Sequence, residues 1–174
     1  ELQKLLDEVP PMSFETLQNI FKQDFRKGSE ELYAEFDPSP IAAASIGQVY
    51  KAGLADGSSV AVKIRRPGVD RAIRSDLRIF RRIAKIAQWF SSDLRHIDLN
   101  NVLGQMEGWL IEEVDFNKEI INLEAVNRYY RGEARAMLGE YADRLEAPRV
   151  YRNLSSANVI TMQFMEGVPV RQIR

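Results

Sequence analysis

The feature that most constrains the fold is a short stretch of strand-like alternation inside a chain whose other segments follow a helical period. Residues 48–54 and 58–65 are predicted as two strands, and Ala55-Asp56-Gly57 between them is typical of a hairpin turn. One face of the second strand is made of β-branched residues, Val60, Val62 and Ile64. The opposite face carries Ala61, Lys63 and Arg65. We therefore expect an α+β fold, a small antiparallel sheet with several packed helices.

Apolar residues at helical spacing predict helices on both sides of this hairpin. The predicted helices and helical turns cover residues 1–8, 14–21, 30–36, 70–90, 98–110, 115–130 and 133–145. Ser13 and Asp98 are suited to cap the second and the fifth of these segments. Residues 148–151 and 159–165 are predicted as a last pair of strands.

Composition excludes several classes of protein and of site. The chain of 174 residues has a formal net charge of −1 and no cysteine. The balanced charge argues against nucleic acid as a partner, and the missing thiols exclude disulfides and thiolate metal sites. No run of about 18 apolar residues is present, so no membrane-spanning helix is expected. The abrupt ends, 1–4 and 170–174, predict that the chain is a piece of a longer protein.

A loop of small residues leads into the first predicted strand. It reads Ala42-Ala43-Ala44-Ser45-Ile46-Gly47-Gln48-Val49. In the Gly-rich phosphate loop of kinases, G-x-G-x-x-G-x-V, Ala42 and Ala44 would occupy the first two glycine positions, while Gly47 and Val49 match. Alanine restricts φ and adds a methyl group, so this loop would cover phosphates more stiffly than glycine does. The alternative is a small-residue turn packed under a helix.

The second predicted strand carries a lysine in a suggestive context. Val60-Ala61-Val62-Lys63 matches the V-A-I-K pattern of the third strand of kinases. Ala61 and Lys63 share a face, so the small residue leaves room for an adenine ring beside a lysine that can reach phosphates. The alternative is an edge-strand lysine that points into solvent.

A carboxylate falls within the apolar arc of the helix predicted at 115–130. At 100° per residue, Glu119 lies among apolar side chains rather than opposite them. A buried carboxylate needs a partner, and Lys63 is the natural candidate. Glu112 is a rival for this role if the helix continues unbroken from the preceding one.

Together these motifs resemble the UbiB-like, aarF-domain-containing atypical kinases. The resemblance rests on Pro40 to Val49, on Val60 to Lys63, on an E-x-D motif at Glu113-Val114-Asp115-Phe116, and on 159–167, which is similar to the strand and hinge that join kinase lobes. It implies a protein-kinase-like N-lobe that is truncated at the hinge. It also implies a helical extension at residues 1–40 and the N-lobe proper at 41–174, with the C-lobe absent.

The resemblance also implies roles for individual residues. Catalytic roles would belong to Lys63, Glu119, Glu113 and Asp115. Nucleotide-binding roles would belong to Ala42, Ala43, Ala44, Ser45, Gly47, Val49, Ala61, Lys63, Met162 (the gatekeeper position), Gln163 and Met165. The cofactor would be ATP or ADP with Mg²⁺, whose ligands are expected in the missing C-lobe rather than in this chain. This fragment alone is therefore expected to be inactive.

The family implies a role for the whole protein in the biosynthesis or homeostasis of isoprenoid quinones or related prenyl lipids. Such a protein would be membrane-associated in bacteria, mitochondria or plastids, and its partners would include anionic lipid or prenyl-lipid and quinone precursors. The alternative is a non-catalytic, kinase-like scaffold that binds lipid or protein.

Several other features have ordinary interpretations. The basic residues of the 70–90 helix indicate a solvated face or, alternatively, contact with anionic lipid: Arg71, Arg74, Arg78, Arg81, Arg82 and Lys85. His96, the single histidine, is interpreted as a loop or helix-entry residue. Trp89, Phe90 and Trp109 are interpreted as core residues or as contacts with the missing parts of the protein.

Overall fold

The structure is a computed structural model that describes residues 10–44, 46–90 and 96–167, with only the backbone at Asp143. The helices are α1 (Phe14–Phe25), α2 (Ser29–Leu32), α3 (Val69–Phe90), α4 (Leu99–Glu113), α5 (Phe116–Arg131) and α6 (Glu133–Leu138), with 3-10 turns at Gly139–Arg144 and Arg152–Leu154. The strands are β1 (Glu35–Phe36), β2 (Ala42–Ala43), β3 (Gly47–Gly53), β4 (Ser59–Arg65) and β5 (Val159–Gln163). These elements form two compact units, one from residues before 65 together with those after 115, the other from residues 65–115.

The first unit is built on an antiparallel sheet of order β1-β3-β4-β5, in which the short β2 also pairs with β3. Across the β4–β5 pair Ala61 lies opposite Met162, and Lys63 lies opposite Ile160. Residues that face each other across a ladder share one side of the sheet. The predicted small antiparallel sheet with packed helices is therefore confirmed. Lys63 lies on the same side of this sheet as Ile160 of β5.

One side of the sheet is covered by α1. Leu17 and Phe21 of this helix pack with the β-branched face of β4, and these side chains are inaccessible to solvent. The predicted cap is present, because the Ser13 hydroxyl accepts a hydrogen bond from the Thr16 amide at 3.2 Å. Burial of this apolar face stabilises the sheet and leaves the other face of β4 for polar residues.

The segment before α1 is fixed to the sheet by a buried glutamine. The Gln48 carbonyl oxygen accepts hydrogen bonds from the Met12 amide and from the Tyr50 hydroxyl, both at 2.8 Å. Its amide nitrogen donates to the Pro10 carbonyl at 3.2 Å. Because a buried amide is costly unless its hydrogen bonds are made, this arrangement holds residues 10–12 against β3.

The other side of the sheet is covered by α5. Phe116 and Ile120 of α5 pack with Ile160 of β5 in a second, smaller buried cluster. Partly buried side chains border this cluster, namely Ile46, Val150 and Met162. The start of α5 is thus seated on the same side of the sheet as Lys63.

Some predicted elements differ from the structure. The helical turn expected at 30–36 ends at Leu32, and Glu35–Phe36 forms β1 instead. Backbone pairing with β3 and the packing of the Phe36 ring on Phe21, at 5.4 Å between centroids, outweigh the local helical preference. The segment 133–145 is split between α6 and a 3-10 turn. Of the last predicted strand pair, 159–165 contains β5, whereas within 148–151 only Val150 pairs, through a single bridge to Met162.

The second unit is a pair of helices, α3 and α4, joined across their interface by Glu107. Its carboxylate accepts hydrogen bonds from Arg74 at 2.8 Å and from Arg81 at 2.7 Å. The Arg81 hydrogen bond is the main reason why the pKa of Glu107 lies below its usual value. Asp98 caps α4 as predicted, since it accepts a hydrogen bond from the Asn101 amide at 3.1 Å.

The basic residues of α3 agree with their interpretation, whereas that of the aromatic residues is wrong in part. The basic side chains are exposed except for the half-buried Arg81, and Arg74 and Arg81 also pair with Glu107. Trp89, Phe90 and Trp109 are 79%, 78% and 69% exposed, so they are not core residues of this chain, and their contact with other parts of the protein stays a prediction. A helical period shows that a helix has apolar stripes but not which stripe is covered.

In the part of the chain that the structure describes, none of the helices has both the length and the hydrophobicity of a membrane span. The helix tail predicted at 1–8 lies outside the described residues.

Candidate functional site

The centre of the candidate site is an ion pair between β4 and α5. The Lys63 ammonium donates to both carboxylate oxygens of Glu119, with Nζ to Oε1 at 2.8 Å and Nζ to Oε2 at 2.6 Å. The alternation of β4 turns Lys63 away from the face covered by α1, and Glu119 lies in the first turn of α5. The predicted contact between these two residues is present.

The pair is partly exposed and lies over an aromatic ring. The Lys63 side chain is 17% exposed and that of Glu119 is 38% exposed. Lys63 Nζ also lies 4.8 Å from the centroid of the Phe116 ring, within the range of a cation–π contact. An ammonium group has three N–H donors, so one remains for a further acceptor such as a phosphate oxygen.

The rival carboxylate, Glu112, depended on an unbroken helix. The helix is broken: α4 ends at Glu113, and α5 begins at Phe116 after a turn at Val114 and Asp115. The Asp115 amide donates to the Glu112 carbonyl at 3.2 Å in this turn. Since the period restarts at Phe116, the inward position of Glu119 does not extend back to Glu112.

The small-residue loop forms a tight hairpin at the edge of the sheet. Ala44 and Gly47 exchange two backbone hydrogen bonds, at 2.9 and 3.3 Å. Ala42 lies opposite Val49, and Ala43 lies opposite Gln48. Among the described non-glycine residues only Arg26 has a positive φ, so none of the three alanines adopts a conformation that favours glycine. Ser45 lies outside the described residues.

The residues predicted around the adenine fall on two sides of the sheet. Ala61 and the partly buried Met162 are opposite each other on the side of Lys63. Gln163 lies opposite Val60 on the other side. Its side-chain oxygen Oε1 accepts a hydrogen bond from the Arg149 backbone amide at 3.4 Å. Met165 follows β5 and is exposed. The structure thus groups Ala61, Met162 and the ion pair on one face of the sheet.

The E-x-D residues belong to the second unit. Glu113 is the exposed last residue of α4, and Asp115 is a half-buried residue of the turn that follows. Their assigned catalytic roles stay predictions.

Sequence reasoning missed a polar network at the end of α1. Both oxygens of Asp24 accept hydrogen bonds from the loop that precedes β5, from the Ser156 hydroxyl at 2.5 Å and from the Asn158 amide at 3.0 Å. The partners of Asp24 are 132 and 134 residues away in sequence. No local pattern could have revealed the contact, because helical spacing records only neighbours on the same helix.

Comparisons with known proteins agree with these observations. The sequence matches the family model described as "ABC1 atypical kinase-like domain" over residues 4–174. A chloroplastic "uncharacterized aarF domain-containing protein kinase" of Arabidopsis thaliana is 33% identical over 174 residues, which is 99% of this chain and 31% of the relative. A "probable protein kinase UbiB" of Azotobacter vinelandii is 30% identical over 173 residues, 99% of this chain and 30% of the relative.

A solved structure supports the fold. The Mycobacterium tuberculosis protein Rv3197, determined in complex with erythromycin, matches with a TM-score of 0.69 and 29% identity over 98% of this chain. The match covers 40% of that protein. The predicted kinase-like N-lobe fold is thereby confirmed, and the chain spans about a third of the length of the relatives it matches.

Proposed function

Because the chain belongs to the ABC1 atypical kinase-like family, we propose that it is the adenine-nucleotide-binding N-lobe of an atypical kinase or ATPase. The observation that carries the proposal is the Lys63–Glu119 pair, which holds an ammonium group at the partly open face of the sheet. Kinases use such a lysine to bind the α- and β-phosphates, and the helix glutamate orients it. Here Glu119 would hold the Lys63 ammonium group directed at the phosphates.

The rest of the face fits a nucleotide. The Ala42–Ala43 strand and its hairpin would cover the phosphates, while Ala61 and Met162 would border the adenine ring. Small side chains at Ala61 and in the hairpin permit close approach of a planar base and of phosphates. Mg²⁺ would neutralise phosphate charge during transfer, and its ligands would come from outside this chain. We therefore expect residues 1–174 alone to bind nucleotide weakly and not to hydrolyse it.

The family supports a proposal about the biological role of the whole protein. Its relatives include bacterial proteins named probable protein kinase UbiB and a chloroplastic aarF domain-containing protein kinase. The proposed role is support of isoprenoid quinone or related prenyl-lipid biosynthesis or homeostasis at a membrane.

The direct test is a titration of the whole protein with ADP and ATP in the presence of Mg²⁺. Lys63→Met should weaken nucleotide binding by about ten- to a hundredfold, because a charge-assisted hydrogen bond to phosphate is lost. Lys22→Met is the control: Lys22 is an exposed lysine of α1, the helix that covers the side of the sheet opposite Lys63.

Three outcomes would count against the proposal. The first is a wild-type protein that binds neither nucleotide at millimolar concentration. The second is an equal affinity of Lys63→Met and Lys22→Met. The third concerns the inactive fragment: robust metal-dependent ATP hydrolysis by purified residues 1–174 would contradict it.

A second candidate function, binding to an anionic lipid surface, is favoured by the surface of α3. Three isoleucines spaced by four and three residues are between 53% and 57% exposed, namely Ile79, Ile83 and Ile86. A stripe of exposed basic residues runs beside them: Arg71, Arg78, Arg82 and Lys85. A helix with an apolar stripe next to a basic stripe is suited to lie at the surface of an anionic bilayer.

Binding to liposomes with and without anionic phospholipid tests this candidate. Charge reversal at Arg71, Arg78 and Lys85 should lower binding to anionic liposomes, whereas the same reversal at the exposed Lys22, Lys27 and Lys51 should not. Arg74 and Arg81 are left intact, because their loss would also disturb Glu107. Equal loss in both triple variants, or no binding by the wild type at low salt, would reject the candidate.

A further inference from the structure

We propose that α1 positions the helix that carries Glu119, and that Asp24 is the residue through which it does so. Asp24 is a positioning residue in this account, because it does not touch the Lys63–Glu119 pair. The inference rests on the proposed function for its effect on nucleotide binding, but the contacts that carry it do not depend on that function.

The first link joins α1 to the loop that precedes β5. Asp24, the penultimate residue of α1, uses both carboxylate oxygens: Ser156 Oγ donates to Oδ2 at 2.5 Å, and Asn158 Nδ2 lies 3.0 Å from each oxygen. Hydrogen bonds to an ionised acceptor are shorter and stronger than those between neutral groups. All three residues are half-buried, which reduces competition from water.

The second link makes this loop a tight unit. Ser156 Oγ accepts hydrogen bonds from the backbone amides of Asn158 at 3.2 Å and Val159 at 3.1 Å. The Ser156 amide in turn donates to the Val159 carbonyl at 2.7 Å. The hydroxyl that donates to Asp24 therefore also fixes the turn around Ala157, so Asp24 determines the position of that residue.

The third link joins the loop to α5. The Ala157 carbonyl accepts a hydrogen bond from the amide of Phe116, the first residue of α5, at 3.3 Å. The first four amides of a helix lack partners within the helix, so a carbonyl placed here fixes where the helix begins. Glu119 lies three residues further on, in the same turn, and its carboxylate reaches Lys63.

A second contact also holds α5 to the segment before β5. Arg152, just before the loop, forms a bidentate pair with Glu124 of α5, with both N–O distances at 2.6 Å. Helix α5 is thus held to the 152–158 segment at two points, while Asp24 fixes that segment to α1. A shift of the loop would be passed to the first turn of α5 and would misplace Glu119 relative to Lys63. Small displacements of this kind are costly for positioned groups.

The test compares Asp24→Ala with Gln18→Ala in the whole protein. Gln18 is also on α1 and also makes side-chain hydrogen bonds, but these join α1 to Ser29 and Glu30 of α2 rather than to the loop before β5. Asp24→Ala should weaken ADP binding about tenfold, whereas Gln18→Ala should leave it unchanged. Asp24→Asn, which keeps one acceptor and the volume, should give a smaller loss and serves if the alanine variant does not fold.

Two further measurements separate positioning from general destabilisation. In a Glu119→Gln background the effect of Asp24→Ala on ADP affinity should vanish, because Asp24 acts on nucleotide binding through the position of Glu119. Without nucleotide, amide hydrogen exchange at residues 116–119 should accelerate about tenfold in Asp24→Ala and remain unchanged in Gln18→Ala. Additive effects of Asp24→Ala and Glu119→Gln, or unchanged exchange at 116–119, would overturn the proposal. The exchange result decides the question even if the wild-type protein binds no nucleotide.

Discussion

At the scale of single residues, the molecule depends on polar groups that are enclosed only in part. The Lys63–Glu119 pair is neither a surface pair nor a fully buried one. Surface pairs contribute about 0–1 kcal/mol, whereas breaking a buried pair costs about 3–5 kcal/mol because one charge is left without a partner. The partial exposure of Glu119 places this pair nearer to the lower range.

Replacement of Glu119 by glutamine should lower the free energy of unfolding by about 1–2 kcal/mol. The reason is that the Lys63 ammonium group, which lies over the Phe116 ring, loses its negatively charged partner. Urea unfolding measures the change. Glu124→Gln is the matched control on the same helix, since it removes an exposed pair with Arg152 and should cost less. A larger loss in the control than in Glu119→Gln would show that the Lys63 pair is only a surface contact.

Tyr33 gives a pH-dependent prediction. Burial raises the pKa of its hydroxyl from 10.0 to about 12, although the hydrogen bond with Thr161 opposes the shift. The folded protein favours the neutral phenol, so this stabilisation is complete below pH 10 and is lost as the pH rises towards about 12. Tyr33→Phe should remove that part of the alkaline destabilisation and cost about 1 kcal/mol at neutral pH. An identical alkaline unfolding profile for both proteins would argue against it.

At the scale of secondary structure, the sequence predicts those elements whose pattern is local. The alternation in 58–65 predicted the two faces of β4, and the capping residues Ser13 and Asp98 predicted where α1 and α4 begin. Glu119 could be predicted to face inward because its helix period is clear. Strand β1 could not, since two residues acquire strand geometry only from distant β3. The Asp24 contacts are equally non-local.

The hairpin of β2 and β3 supports a prediction about its alanines. Ala42→Gly, made in the whole protein, should alter nucleotide affinity or the preference between ADP and ATP, because glycine relaxes the backbone over the proposed phosphate site. The strand itself should lose about 0.5–1 kcal/mol through the greater freedom of glycine. Parallel ADP and ATP titrations measure the effect, with the exposed Ala55→Gly in the β3–β4 turn as control. If affinity and preference are unchanged, the hairpin serves packing alone.

At the scale of the whole molecule, the two units differ in how much apolar surface they enclose. Leu77 and Val114 are the only buried side chains among the described residues of 65–115, whereas the sheet unit has two clusters of them. Few buried contacts mean a low free energy of local opening.

Amide hydrogen exchange should therefore show that α3 and α4 open more readily than the sheet. We expect opening free energies for Val69–Phe90 and Leu99–Glu113 that are lower by about 2 kcal/mol or more than those for β4 and β5. Helix α1 is the matched comparison, because it is also a helix but packs on the sheet. Equal protection of α1 and α3 would contradict the expectation.

The order of the chain also affects how the protein is made. Strand β4 leaves the ribosome well before β5, its neighbour in the sheet. The hydrogen bond between Tyr33 and Thr161 likewise forms only after another 128 residues have been synthesised. The helical pair at 65–115 lies between them and needs only local contacts, so it can form first. Until β5 emerges, β4 has an open edge, which is the kind of surface that chaperones protect during synthesis.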